Sequence, residues 1–152
     1  MEFAPSRNFG ERSVMQASPV VLSSALVTIL AIVVYYYMGV RVSQMRTKHG
    51  VKAPAMSGHP EFDCAFRVQM NTLEHLPVFI PLLWLATFFF GFFPMAAPLL
   101  GLIWVAGRIL YMDGYMRGPE KRGPGFGISA VAEILLLILA LSGIGIAFTT
   151  VV

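Results

Sequence analysis

Two stretches of the 152-residue chain carry side chains that could hold a small charged molecule. In "FRVQMNTLEHLP", Phe66 to Pro77, an arginine, an asparagine and a glutamate fall at spacings i, i+4 and i+7. At about 100° per residue Arg67, Asn71 and Glu74 share one stripe of a helix, with His75 at its edge, while Gln69 points nearly the opposite way. In "GRILYMDGYMRGPEKRGPG", Arg108, Tyr111 and Tyr115 at i, i+3 and i+7 form a second face, Asp113 lies away from it, and Arg117, Lys121 and Arg122 follow. Arginine forks meet carboxylates in pairs, and a glutamate meets an ammonium. A hollow lined by both stripes therefore suits a small, mostly anionic zwitterion, although the residues do not name it. Each feature also has a plainer reading: a surface ion pair for Arg67 with Glu74, an interfacial aromatic belt for the tyrosines, a topology signal for the basic residues.

The elements that must position these residues are membrane helices. Hydrophobic residues make up 57% of the chain and charged residues only 12%, which lies outside the range of soluble domains. Residues 13–40, 76–107 and 134–152 carry no charge, and a spanning helix needs about 20 largely apolar residues. The middle run is long enough for most of two spans, and Gly91, Pro94 and Pro98 break it. Four spans are expected, at Pro19–Val40, Pro60–Phe90, Met95–Met116 and Gly125–Thr150. All are helical, because an open sheet leaves backbone groups unpaired in lipid. The chain reads as a flexible N-terminal segment over residues 1–18 and one all-α, four-helix membrane domain of left-handed, up-down topology over 19–152. The first span is too long for a signal-peptide core and is read as retained.

Arg41, Arg46, Lys48 and Lys52 follow the first span, and Arg117, Lys121 and Arg122 follow the third against Glu120. The link between the second and third spans is uncharged, so the positive-inside rule turns the first and third links to the cytoplasm. The net charge of +3 is then a topology signal with some attraction for anionic lipids or an anionic ligand, and nucleic acid is not expected as a partner. A single cysteine, Cys64, excludes an intramolecular disulfide and any multi-cysteine metal site. The two polar stripes approach one membrane boundary, one running in and the other running out. Arg108 lies inside its span, where an ionised side chain costs roughly 2.5–3.5 kcal/mol unless paired or hydrated. Glu133 sits at comparable depth in the last span, so the two are expected to pair.

Together with "RTKHGVKAPAM", these stretches resemble the membrane-associated proteins in eicosanoid and glutathione metabolism, the MAPEG superfamily, and look nearest its microsomal glutathione S-transferase 3 branch. The match covers about residues 41–125, and its signal is Arg-x-x-x-Asn-x-x-Glu followed downstream by Arg-x-x-Tyr-x-x-x-Tyr. The resemblance implies a homotrimer of four-helix protomers with glutathione held between neighbours at the cytoplasmic side. It implies that Arg67, Asn71, Glu74, Tyr111 and Tyr115 bind the tripeptide from one protomer, that Arg46 and Gln69 reach the ligand bound by the neighbour, and that Arg122 stabilises the thiolate. His75, Arg108 and Arg117 join the same implied glutathione-binding set. A free thiol near pKa 8.5 is mostly protonated at neutral pH, so a guanidinium that favours the thiolate raises the reactive fraction.

Two departures bear on activity. His75 stands where the family's leukotriene C synthase has tyrosine, and Thr47 where that enzyme has a second adjacent arginine, which argues against a specialised leukotriene synthase. Arg67 and Glu74 are lacking in the family's non-catalytic member, the five-lipoxygenase-activating protein, so their presence favours an enzyme. The expected activity is conjugation of glutathione to lipophilic electrophiles, with lipid hydroperoxide reduction by the same thiolate as a side activity. Glutathione is co-substrate and no metal is expected. The membrane is bacterial inner membrane or endoplasmic reticulum. The alternatives are a lipid-presenting protein on the same scaffold and a small transporter, the latter disfavoured because each span is apolar at its middle. Gly101, Ala106, Gly107, Gly143 and Gly145 are small enough for close helix contact. Phe88, Phe89 and Trp104 read as packing or lipid-facing residues.

Overall fold

A computed structural model describes residues 18–151, so nearly all of the expected flexible N-terminal segment lies outside the described residues. Four helices follow one another: α1 over Pro19–Lys48, α2 over Pro60–Phe89, α3 over Ala96–Arg117 and α4 over Gly123–Val151, with a short 3-10 turn, Pro119–Arg122, between the last two. All four are long and apolar enough to cross a membrane. The protein is an all-α, multi-pass integral membrane protein.

Local chemistry explains where the helices begin. Ser18 accepts from the backbone N–H of Val21 and Pro19 fills the first position of α1, where its missing N–H would be unpaired anyway. His59 caps α2 in the same manner, accepting from Glu61 N–H ahead of Pro60. Helix α1 runs to Lys48 instead of stopping at Val40, because its inner stripe outlasts the apolar run. Val42 and Met45 continue that stripe and pack against Phe62 and Ala65 of α2. Arg46 and Lys48 occupy the last turn, where cations favour the helix dipole.

Lipid tails are as apolar as leucine, so the helices are held by close packing and by internal hydrogen bonds. In the middle of the bundle Phe79 of α2 stacks on Trp104 of α3 with ring centroids 3.9 Å apart, both rings fully buried. Glycines set the closest approaches. Gly125 of α4 lies on the backbone of Tyr111, Gly143 on the carbonyl of Phe89, and a side chain added at Gly107 would come within 2.8 Å of the Ser129 nitrogen. Gly101 serves α3 against Val27 of α1 in the same way. Gly145 has nothing within 4 Å, and Ala106 is exposed, so these two expected contact residues play no such part within the chain. Trp104 turns out to be a packing residue, while Phe88 and Phe89 face outward.

Gly125 is the contact on which the polar end of the bundle turns. Gly125→Ala is expected to push α4 off Tyr111 and destabilise the protein by about 1–3 kcal/mol, read as a lower melting temperature in detergent. Gly127→Ala, where a methyl group meets nothing within 4 Å, should leave it unchanged or slightly raised.

Candidate functional site

At the end of the bundle where α2 begins and α3 ends, the two polar stripes meet around a cavity of about 250 Å³. Arg67 and Asn71 line it from α2, Tyr111 and Tyr115 from α3, Arg122 from the 3-10 turn, and Gly123 and Phe126 from the start of α4. Gly118 caps the end of α3, and Pro119 opens the 3-10 turn that follows. Gly114 then lets the turn fold back onto α3, since a side chain there would strike the Lys121 carbonyl. That fold brings Arg122 over Tyr115, its Nη1 donating to the phenol oxygen at 3.4 Å and its guanidinium carbon 5.4 Å from the ring centre.

Beneath the cavity lies Arg108, which is 0% exposed. Its Nε and Nη2 both donate to the Thr72 hydroxyl, at 3.2 and 2.6 Å, and Nη2 also donates to Asn71 Oδ1 at 3.0 Å. The guanidinium packs 4.4 Å from the centre of the Tyr111 ring. Because Asn71 Oδ1 is taken by Arg108, its amide nitrogen is turned toward Glu74, to which it donates at 3.3 Å. Arg108 therefore supports the cavity wall and does not line the cavity as expected for a ligand contact.

The expected Arg108–Glu133 ion pair does not form. Glu133 instead accepts from Trp104 Nε1 at 2.8 Å and meets His75 Nδ1 at 2.9 Å. Each ion found a nearer polar group on a different helix. His75 is thereby drawn toward α4 and is not among the residues that line the cavity.

Three further expected residues lie elsewhere in the chain. Gln69 lies against Gly39 of α1, as its opposite helical angle implies. Arg46 donates to the Val51 carbonyl at 3.3 Å and stacks 4.6 Å from the Phe62 ring. Arg117 pairs with Asp113 one turn back, at 2.8 Å, with 68% of its side chain exposed. Glu74 is exposed beside Asn71. Sequence reasoning missed Phe126, Gly123 and Thr72. The hydroxyl of Thr72 mattered only once Arg108 stood opposite; about 100° around the helix from Asn71, it lies off the polar stripe, and the spacing gave no signal for it.

With two guanidinium groups, an amide and two phenols, the cavity can take carboxylates and stabilise an anion. Thr72→Val keeps the shape of the side chain and removes the acceptor of two Arg108 bonds. The expected cost is about 1.5–3 kcal/mol, the range for hydrogen bonds to a charged group, measured as lost thermal stability in detergent.

Comparison with known proteins agrees with this architecture. The model of the MAPEG family matches residues 24–142. An uncharacterised protein of Synechocystis is 41% identical over 120 residues, covering 79% of this chain and 86% of that one. Human microsomal glutathione S-transferase 2 is 40% identical over 123 residues, 81% of each chain. Bovine leukotriene C4 synthase is 35% identical over 123 residues, 80% of this chain and 79% of its own length. These relatives carry the type 2 and leukotriene synthase names, so they lend no support to the type 3 branch expected from sequence. The extent of these matches and the four-helix architecture together place the chain in the MAPEG family.

Proposed function

We propose that the protein is a membrane glutathione transferase that joins the thiolate of glutathione to lipophilic electrophiles, with reduction of lipid hydroperoxides as a side activity. One observation carries the reading: Arg67, Asn71, Tyr111, Tyr115 and Arg122, contributed by three separate elements, converge on a single cavity. The names of the human and bovine relatives support the same chemistry.

Arg67 and the tyrosines suit the carboxylates of the tripeptide, and Glu74, at the rim, suits its ammonium. Asn71, held by Arg108, bonds the ligand in a fixed orientation. Arg122 sits over Tyr115 at the mouth, and in this reading it stabilises the thiolate. It suits that task because a guanidinium stays charged beside a lipid boundary. Arg46 and Gln69 turn away from their own cavity, which supports a homotrimer in which they complete a neighbour's site. Arg117, exposed and paired with Asp113, stands outside the cavity lining. The basic links support a cavity on the cytoplasmic side, where a soluble thiol and a bilayer-borne electrophile can meet in one oriented complex. The host membrane is a bacterial inner membrane or endoplasmic reticulum.

Glutathione added to the purified protein in detergent at neutral pH is expected to produce the ultraviolet absorbance of a thiolate. Arg122→Ala should abolish that signal and lower turnover about 10²–10³-fold, as loss of one anion-stabilising donor does elsewhere, with a much smaller change in glutathione affinity. Binding without a thiolate in the parent would overturn the role of Arg122; absence of binding would return the protein to lipid presentation.

A further inference from the structure

Among the described residues Glu133 is the one buried acid, and glutathione binding gives it no task. Its carboxylate is gripped by two other helices, by Trp104 Nε1 at 2.8 Å from α3 and by His75 Nδ1 at 2.9 Å from α2. A carboxylate at Nδ1 holds a proton there and leaves the ring to exchange its other proton at Nε2. The His75 side chain is 22% exposed, and Nε2 bonds no group among the described residues.

His75 lies one helical turn beyond Asn71 on the same face of α2. Its ring stands edge-on to Phe126, with centroids 5.8 Å apart, and both Asn71 and Phe126 line the cavity. As α2 runs from the polar end of the bundle inward, His75 lies one turn deeper than the cavity-lining Asn71, next to Phe126 and outside the lining itself, on the side from which an apolar electrophile would approach.

Electrophiles differ in what they leave behind. A chloroarene attacked by a thiolate expels chloride, which needs no proton. An epoxide opens to an alkoxide, which needs one. We propose that His75 is the general acid for electrophiles that leave negative charge on oxygen, that Glu133 positions its ring, and that Trp104 fixes the carboxylate. The proposal rests on the glutathione reading. In the step, sulfur forms the new C–S bond, the ring C–O bond breaks with its electron pair passing to oxygen, and the proton on Nε2 moves to that oxygen. The proton released when the next glutathione thiol ionises returns to Nε2. The sum is one thiol and one epoxide giving one hydroxy thioether.

The test compares two electrophiles on the full chain in detergent with glutathione: 1-chloro-2,4-dinitrobenzene and styrene oxide. In Glu133→Gln and in His75→Gln, the ratio of kcat with styrene oxide to kcat with the chloroarene is expected to fall about 100-fold, the low end for general acid catalysis. KM for styrene oxide should stay within about threefold. An equal loss on both electrophiles, or no loss on the epoxide, overturns the proposal. Should Glu133→Gln fail to fold, the partly exposed His75→Gln decides alone. A parent that conjugates the chloroarene and not the epoxide sinks this inference only; one that conjugates neither sinks the glutathione reading with it.

Discussion

A fully buried guanidinium sets the terms for the rest of the molecule. Moving an ion out of water into a lipid-bound bundle costs several kcal/mol unless donors and acceptors are matched to it. Two of the three Arg108 nitrogens are matched by Thr72 and Asn71 on α2, and the guanidinium packs on the face of Tyr111 on its own helix, while Nη1 bonds no group among the described residues. Those partners hold α2 and α3 in one register, because sliding either helix would strand the charge. The same bonds decide which way the Asn71 amide points, so the cost of burying the ion is linked to the shape of the cavity above it. Glu133 lies in the adjoining layer and contributes the opposite formal charge, although Trp104 and His75, and not Arg108, hold it.

Close backbone contact does at the polar end what hydrophobic burial does in a soluble protein. Lipid gives apolar side chains no reason to prefer each other, so the helices meet where glycine lets backbones touch. Gly125 against Tyr111 and Gly114 against Lys121 fall beside the cavity. They bring the start of α4 and the turn before it over the end of α3, which is how a residue seven positions after Tyr115 returns to lie over its ring. The polar residues are thus gathered at one end of helices whose middles remain apolar. A site at that boundary can draw one reactant from water and the other from the membrane without an aqueous path through the bundle.

The sequence by itself determined the number of helices, three of their four approximate extents, and the two stripes of chemistry, since all of these follow from local properties. Apolar run length, proline and glycine breaks, and the recurrence of Arg67, Asn71, Tyr111 and Tyr115 at helical spacing can be read along one strand of text. The overrun of α1 to Lys48 could not, because it depends on Val42 and Met45 finding Phe62 and Ala65. Partner choice was likewise decided only in three dimensions. Depth alone suggested that Arg108 would meet Glu133, yet a helix presents its side chains around a full circle, and the angle of each toward its neighbours settled the pairing. Thr72 and Asn71 took the cation, while His75 and Trp104 took the anion. Helical periodicity fixes which residues share a face; which face meets which is set by packing between segments far apart in the chain.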